Sequence, residues 1–553
     1  MTRDLIFDLL LPFGIRKMSD ISYSSKNIDH LGLVAGLCKD LKLAETLDSL
    51  LPAQSPQKKM TYGQSLVAMV LNGLGFTGRT LHMYPDYFSD KPVERLIGKG
   101  IESTHINDDA LGRCLDALYE NNVSDLYLKL GEKVIRHLGL PCESINIDAT
   151  SFHVDGDYEV SDDFTGIQLK QGYSRDHRPD LNQVILNLIT ENKAGIPVYM
   201  QANSGNTNDM ENFKQIVKSH ITSLTSATKS RYLIGDSALY VEETIQSLHA
   251  DGQFFITRVP QKIKAVKMLI KSQDELNFEY FTEGYQGCWY EANYGDVQQK
   301  WLIVQSEAAK NRELKTFNKR VHQSTEKSLK SFQKLSRELY TCEADATKAL
   351  VKWKKQQKYI NVENESIEIV YKHSQPGRPR QDEIGIAHYK ITGDLASNLF
   401  VITEERKSLG IFVLASNDCS DELSMEKMLG EYKSQQKVEK GFRFLKSPDF
   451  LVSSIYIKKP ERVEALLMVM TCCLMIYAAL EHLIRTKLKE QDAYFPDMKN
   501  KDTQNPTARW VFQCFTGISV LYIDRCRTII MNLKERHQTI ISVLGPLYQK
   551  IYS

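Results

Sequence analysis

The chain has 553 residues, 42% of them hydrophobic, which is ample for three or four units of about 100 to 200 residues and too much for a small stapled module. Seventy Lys and Arg stand against 69 Asp and Glu, a net charge of +1, so any surface for an anionic polymer has to be local. Ten scattered cysteines form no CxxC pair and no Cys/His cluster at zinc spacing, so they read as reduced thiols of a cytosolic protein rather than a disulfide framework or a zinc finger.

In chain order, the apolar start Leu5 to Phe13 is broken by Asp8 and lacks a basic leader and a cleavage site, so it is not a targeting signal. Residues 1–26 read as an extension detached from the helical domain. Residues 27–140 read as that domain, all-helical and N-terminal, because Thr61 to Gln64 has capping-box spacing ahead of LVAMVLNGLG and Asn107 with Asp108 can cap the next periodic stretch. At Ser144 the texture becomes β-like: SINIDATSF, GIQLKQGYS, NQVILNLIT and IPVYMQAN read as strands. A helical pattern over 209–226 leads to RYLIGDSAL, VEETIQSLHA and FFITRVP, an alternation that predicts an α/β core over 141–260.

From about Pro260 the alternation stops, and 261–400 reads as a β-rich insertion containing the link QPGRPRQ at 375–381. Within it, residues 300–360 hold fifteen Lys or Arg against six acids. Trp301, Phe317, Phe332, Tyr340, Trp353 and Tyr359 are interleaved with that charge, a combination expected of an arm that contacts DNA. IFVLASND at 411–418 resumes the core texture, giving a second core segment over 401–485. The uncharged run Ala465 to Leu480 is only 16 residues long, short of the roughly 20 that span a bilayer, and reads as a buried core helix. Residues 486–553 read as a helical C-terminal region.

Two strand-borne acids carry the first chemical signal: Asp148 inside SINIDATSF and Asp236 at the end of YLIGD. A carboxylate in an apolar strand is costly to bury unpaired, so it caps a turn, lies at a sheet edge or holds a cation. The second signal is EYKSQQKVEKGFRFLK, read as part of a helix from about Ser424 to Lys446. At about 100° per residue, Tyr432, Gln435, Glu439 and Lys446 point near 0°, −60°, −20° and −40°, with Arg443 near +20°. That is one polar stripe, either a site face or a solvated surface. Gly441 is a weak point, unfavourable inside a helix by about 1 kcal/mol.

Asp148, Asp236 and Tyr432-x2-Gln435-x3-Glu439-x6-Lys446 together resemble the DDE transposases of bacterial insertion sequences. The resemblance is to those whose third motif reads Tyr-x2-Arg-x3-Glu-x6-Lys and whose catalytic domain carries a β-rich insertion, and GYSRDHRPDLNQV at 172–184 is similar to the same branch. Gln435 stands where the family has Arg, and a neutral amide cannot reproduce a bidentate guanidinium; Arg443 is the candidate to supply that charge. The resemblance implies an α/β, ribonuclease H-like core with Asp148 on the first strand, Asp236 after the fourth and Glu439 on a helix against the sheet. It implies that these three carboxylates are catalytic and hold two Mg²⁺ (or Mn²⁺) ions, consistent with an oxygen-only ligand set. Tyr432, Gln435, Arg443 and Lys446 are then DNA-binding, while His153, His177 and Arg178 are structural or backbone-contacting.

The implied partner is double-stranded DNA, both terminal inverted repeats and target, handled by a homodimer in a bacterial, nucleoid-associated cytoplasmic setting with no membrane. The N-terminal helices are the implied readers of the ends. Two alternatives stay open at this stage: a metal-dependent nuclease on the same fold without strand transfer, and an inactive transposase-derived DNA-binding protein.

Overall fold

The computed structural model describes residues 22–76, 81–154, 158, 166–173, 178–208, 216, 230–372, 385–447, 457, 459–523 and 527–553. Residues 1–21, the helix expected over 209–226, His177 and the link at 375–381 lie wholly or almost wholly outside them. The chain forms two compact units, residues 1–257 with 430–553, and residues 258–429.

The first unit is built on strands β2 (Ser144–Val154), β3 (Asn182–Glu191), β4 (Pro197–Ser204), β5 (Tyr232–Gly235) and β6 (Phe254–Arg258), in the order β4-β3-β2-β5-β6. β3 is antiparallel to both β2 and β4, whereas β5 and β6 run parallel to β2. An antiparallel meander followed by parallel strands on the other side of the first is the ribonuclease H-like arrangement. β2 lies between β3 and β5 and is buried along almost its whole length, although SINIDATSF alternates, with Ile145, Ile147 and Ala149 on one face and the polar Asn146, Asp148 and Thr150 on the other.

Helices fill out the rest of this unit. The N-terminal helices begin where the sequence signals them: Thr61 and Gln64 form a reciprocal capping box, and Asn107 accepts from the Ala110 N–H. Helix Val123–Leu138 packs on β4 through Gly131, where an added Cβ would lie 2.8 Å from the Val198 carbonyl oxygen. Helix Pro460–Glu490 is long and apolar enough to cross a membrane, yet its apolar stretch is 78% buried against protein, as expected of a core helix. The Tyr127 hydroxyl donates to the Pro197 and Thr471 carbonyls at 3.0 and 3.4 Å, and Arg462 grips Asp116 with two hydrogen bonds of 2.6 and 2.7 Å. These contacts join the sheet, the N-terminal helices and the long helix.

Two findings add to the expected helical ends. Strand β1 (Tyr23–Asn27) pairs antiparallel with Ser519–Ile523, which pairs in turn with Arg527–Met531. The N-terminal domain is therefore not purely helical, residues 23–26 are not detached, and the C-terminal region carries strands among its helices.

The second unit holds a four-stranded antiparallel sheet of β7 (Glu279–Thr282), β8 (Tyr285–Tyr294), β9 (Val297–Ser306) and β13 (Ile411–Ser416), in the order β13-β9-β8-β7. A second sheet orders β10 (Leu339–Tyr340), β12 (Ile386–Ser397) and β11 (Ile360–Lys372) as β10-β12-β11. Helices Glu307–Leu335 and Glu343–Gln356 supply much of the remainder. Its core gathers Phe332, Leu350, Trp353, Ile360 and Ile391, with the Phe332 and Trp353 rings 5.1 Å apart. Trp301, Phe317 and Tyr359 are also buried. The aromatic residues expected to act beside the basic charge are thus packing residues here, and only the charge is outside.

Candidate active site

The site begins with strand register. In the parallel β2–β5 pair, Ser144, Ile145 and Asn146 stand opposite Tyr232, Leu233 and Ile234. Two residues further along, Asp148 and Asp236 come level on adjacent strands about 4.8 Å apart. Because side chains alternate with period two, Asp148 shares its sheet face with Asn146, Thr150 and Phe152. Gly235 permits the close approach there, since a Cβ on it would lie 3.3 Å from Ile147 Cγ2 and 2.9 Å from Leu239 Cδ2.

Both aspartates are locally oriented. Asp148 is 9% exposed, and its Oδ1 accepts the N–H of Ala149 at 2.8 Å. Asp236 sits where β5 ends: its Oδ1 accepts the Ala238 N–H at 2.8 Å, and its carbonyl accepts the Leu239 N–H and the Thr257 hydroxyl at 3.1 and 2.7 Å. An Asx-type turn of this kind fixes a carboxylate at the C-terminal edge of a parallel strand pair.

A helix lies along the same face of β2. The Ser434 hydroxyl donates to Asn146 Oδ1 at 3.0 Å, and twelve residues on, Lys446 Nζ stands 5.7 Å from the Phe152 ring centre. The β3–β4 turn fixes the near end. Glu431 accepts from the Asn192 amide at 2.8 Å, and the Lys437 ammonium donates to the carbonyls of Asn192 and Lys193. Burial holds the Lys437 pKa below its ordinary value. Glu439 is five residues past Ser434, about 7.5 Å along the helix. Asp148 is two residues past Asn146, about 6.6 Å along the strand. Glu439 therefore comes level with Asp148.

The expected single helix is two, Met425–Ser434 and Gln436–Leu445, with Gln435 between them in an αR conformation. The Val438 N–H bonds the Gln435 carbonyl at 3.0 Å, a tight turn of 3₁₀ type. Gly441 does not end the helix. It lets the helix rest on Pro460–Glu490, where a Cβ would meet Leu474 Cδ2 at 3.0 Å.

Of the candidate DNA-binding residues, Arg443 is exposed, Tyr432 and Lys446 are half-buried, and Gln435 is buried at 8% exposure. His153 lies half-buried near the end of β2. Arg178 holds Asp180 in a two-pronged ion pair of 3.0 and 2.9 Å, which keeps that carboxyl below its usual pKa. The Ser434–Asn146 and Lys437–turn contacts escaped the sequence reading, although Asn146, polar and two residues before Asp148 in an apolar strand, marks the same face.

A divalent cation fits the chemistry of this donor set, since carboxylate oxygens are hard ligands. Among the described residues, no three acidic, histidine or cysteine side chains are already gathered at ligand distance. Glu439 is an exposed side chain, whereas Asp148 is buried.

Comparison with known families agrees with this architecture. Residues 144–476 match the family model described as a transposase DDE domain, and residues 23–132 match a domain of unknown function (DUF4277). No curated protein matches the chain. Among solved structures, the chain is similar to a piggyBac transposase in a synaptic complex with hairpin DNA, at 12% identity over 95% of this chain and 88% of that one, with a TM-score of 0.36.

Proposed function

The chain belongs to the DDE transposase family, and on that premise we propose that Asp148, Asp236 and Glu439 form its one catalytic centre. The reaction proposed is metal-dependent cleavage at the terminal inverted repeats of an insertion sequence, followed by strand transfer into target DNA. The observation that carries this reading is the register that brings Asp148 level with Asp236, with the 434–446 segment laid along the same face of β2. Members of this family generally use divalent metal ions, and here the three carboxylates are the proposed ligands of two Mg²⁺ or Mn²⁺ ions. When bound, such a pair activates the attacking oxygen and stabilises the leaving one.

The chain's own residues set the geometry of that reaction. The turn around Asp236 and the Ala149 N–H hold two carboxylates at fixed orientation, so positioning does not have to be recreated at each turnover. Arg443 and Lys446, one and two helical turns beyond Glu439, are the proposed contacts to the phosphates flanking the scissile bond, and their role would be to fix DNA register. Gln435 is buried, and as a neutral amide it would offer DNA a hydrogen bond and no charge. The third-motif assignment, residues 261–400 as an insertion into the catalytic core, end recognition by the N-terminal helices, a homodimeric synapse and a bacterial cytoplasmic, nucleoid-associated setting belong to the same proposal.

The test is a supercoiled plasmid carrying the element's own ends, incubated with protein and Mg²⁺. Nicked and joined products should both form and should both disappear with Asp148→Ala. Nicking without any joined product would reduce the reading to a nuclease. No metal-dependent product from wild-type protein that binds the ends would overturn it.

A further inference from the structure

We propose that helix Glu307–Leu335 carries a backbone-tracking surface for duplex DNA, indifferent to sequence. The inference rests on the DNA substrate proposed above and concerns residues other than those of the proposed catalytic centre. This helix has 29 residues and buries Phe317, Ser328 and Phe332. Taking Arg312 as zero, those three point near 140°, 160° and −160°, whereas Arg312, Lys315, Lys319, Lys330 and Lys334 point near 0°, −60°, −20°, 0° and +40°. The cations thus occupy the face diametrically opposite the buried one, and all five are exposed.

Ion pairs on this helix are made by other residues. Arg320, well off this face, is held by Glu405 at 3.3 Å, and His322 faces Glu326 at 3.7 Å within the row. None of the five cations makes an ion pair with a described residue. Meeting a polyanion would therefore break no bridge to a described residue. From Arg312 to Lys334 the row spans about 33 Å, close to the roughly 34 Å of one duplex turn, over which DNA presents a charge every 1.7 Å or so. A small anion or a single acidic side chain would engage one cation of such a row, not five. Leu329 is the only large apolar side chain among the exposed ones on this helix, so a lipid surface is a poorer match than a phosphate backbone.

The experiment measures binding of the full-length protein to a 30-base-pair duplex of arbitrary sequence in Ca²⁺ across a range of KCl concentrations. The triple variant Arg312→Gln/Lys315→Gln/Lys319→Gln should lower the log–log salt slope by about 2.7, at about 0.9 for each phosphate no longer neutralised. Lys330→Gln/Lys334→Gln should lower it by about 1.8 on the same basis. A control triple elsewhere, Lys489→Gln/Lys499→Gln/Lys501→Gln, should change it by much less, which separates direct phosphate engagement from net charge. The same reductions are expected on a duplex carrying the element's ends. A wild-type slope in both stripe variants, with unchanged circular dichroism and melting, overturns this proposal while leaving the active-site reading intact. A wild-type protein that binds no duplex at all overturns the DNA reading itself. Loss of binding to anionic vesicles but not to DNA would reassign the row to a membrane surface and equally overturn it.

Discussion

Helices 436–445 and 307–335 both set charge beside a buried stripe, but at different angles to it. On the first, Val438, Phe442 and Leu445 are buried, and Glu439, Arg443 and Lys446 sit about 100° away, on one flank. On the second, the cations stand about 180° from the buried face. A flanking charge stays within reach of the sheet on which the helix rests, so it can complete a site whose other half is strand-borne. A charge opposite the core can meet only something arriving from outside. Similar composition thus supports two roles, chemistry in one place and grip in the other, and each can be broken without the other.

The largest effect is expected at the three proposed catalytic carboxylates. Asp148→Ala, Asp236→Ala or Glu439→Gln should each reduce cleavage by about 10³-fold or more, equivalent to losing about 4 kcal/mol of transition-state stabilisation. Duplex binding should be little changed, as electrophoretic shifts in Ca²⁺ would show. The matching stripe variants on 307–335 should do the reverse.

Next comes the helix beneath the site. Burial raises Glu464, on Pro460–Glu490, to a pKa of about 7. A carboxyl raised in the folded state binds its proton there over a range where the unfolded chain has already released it. Stability should therefore fall as pH rises from about 4.5 to 7 and level off above, by up to about 3 kcal/mol from this group. Urea unfolding of Glu464→Gln should show a gain over wild type at pH 8 that vanishes near pH 4.5.

Gly441→Ala sharpens the geometric side of the comparison. The added methyl meets Leu474 at 3.0 Å, while alanine gains about 1 kcal/mol in helix propensity. Net stability should stay within about 1 kcal/mol of wild type, yet cleavage should drop about tenfold or more, because a displacement of roughly 1 Å in a positioned group is costly. The smallest effect is predicted for Lys446→Gln: a salt slope lower by about 0.9, the value for one phosphate.

Much of this was legible in the sequence, for identifiable reasons. SINIDATSF announces a strand through its period-two alternation of Ile145, Ile147 and Ala149 with polar residues, and YLIGD through its short apolar run, with an acid placed in each. The capping box at Thr61 was legible because it is a local signal. Strand Tyr23–Asn27 was not: YSSKN has no apolar alternation, and only its pairing with Ser519–Ile523 makes it a strand. The C-terminal strands SVLYI and RTIIM are short apolar runs that periodicity alone does not separate from helix. The break at Gln435 has no breaker residue to signal it and lies beside the Ser434–Asn146 contact. At 300–360 the charge was readable but its direction was not, since the aromatic residues interleaved with it turn inward to the core.

The central claim is that Asp148, Asp236 and Glu439 act on one metal centre, and Mn²⁺ binding monitored by electron paramagnetic resonance in the presence of end DNA tests it most directly. Wild-type protein should bind Mn²⁺ at up to two sites per chain. Asp148→Asn, Asp236→Asn and Glu439→Gln should each weaken the same sites, with Glu439→Gln the mildest because its side chain is the exposed one. Full wild-type Mn²⁺ binding in all three variants, with DNA bound throughout, would contradict the claim.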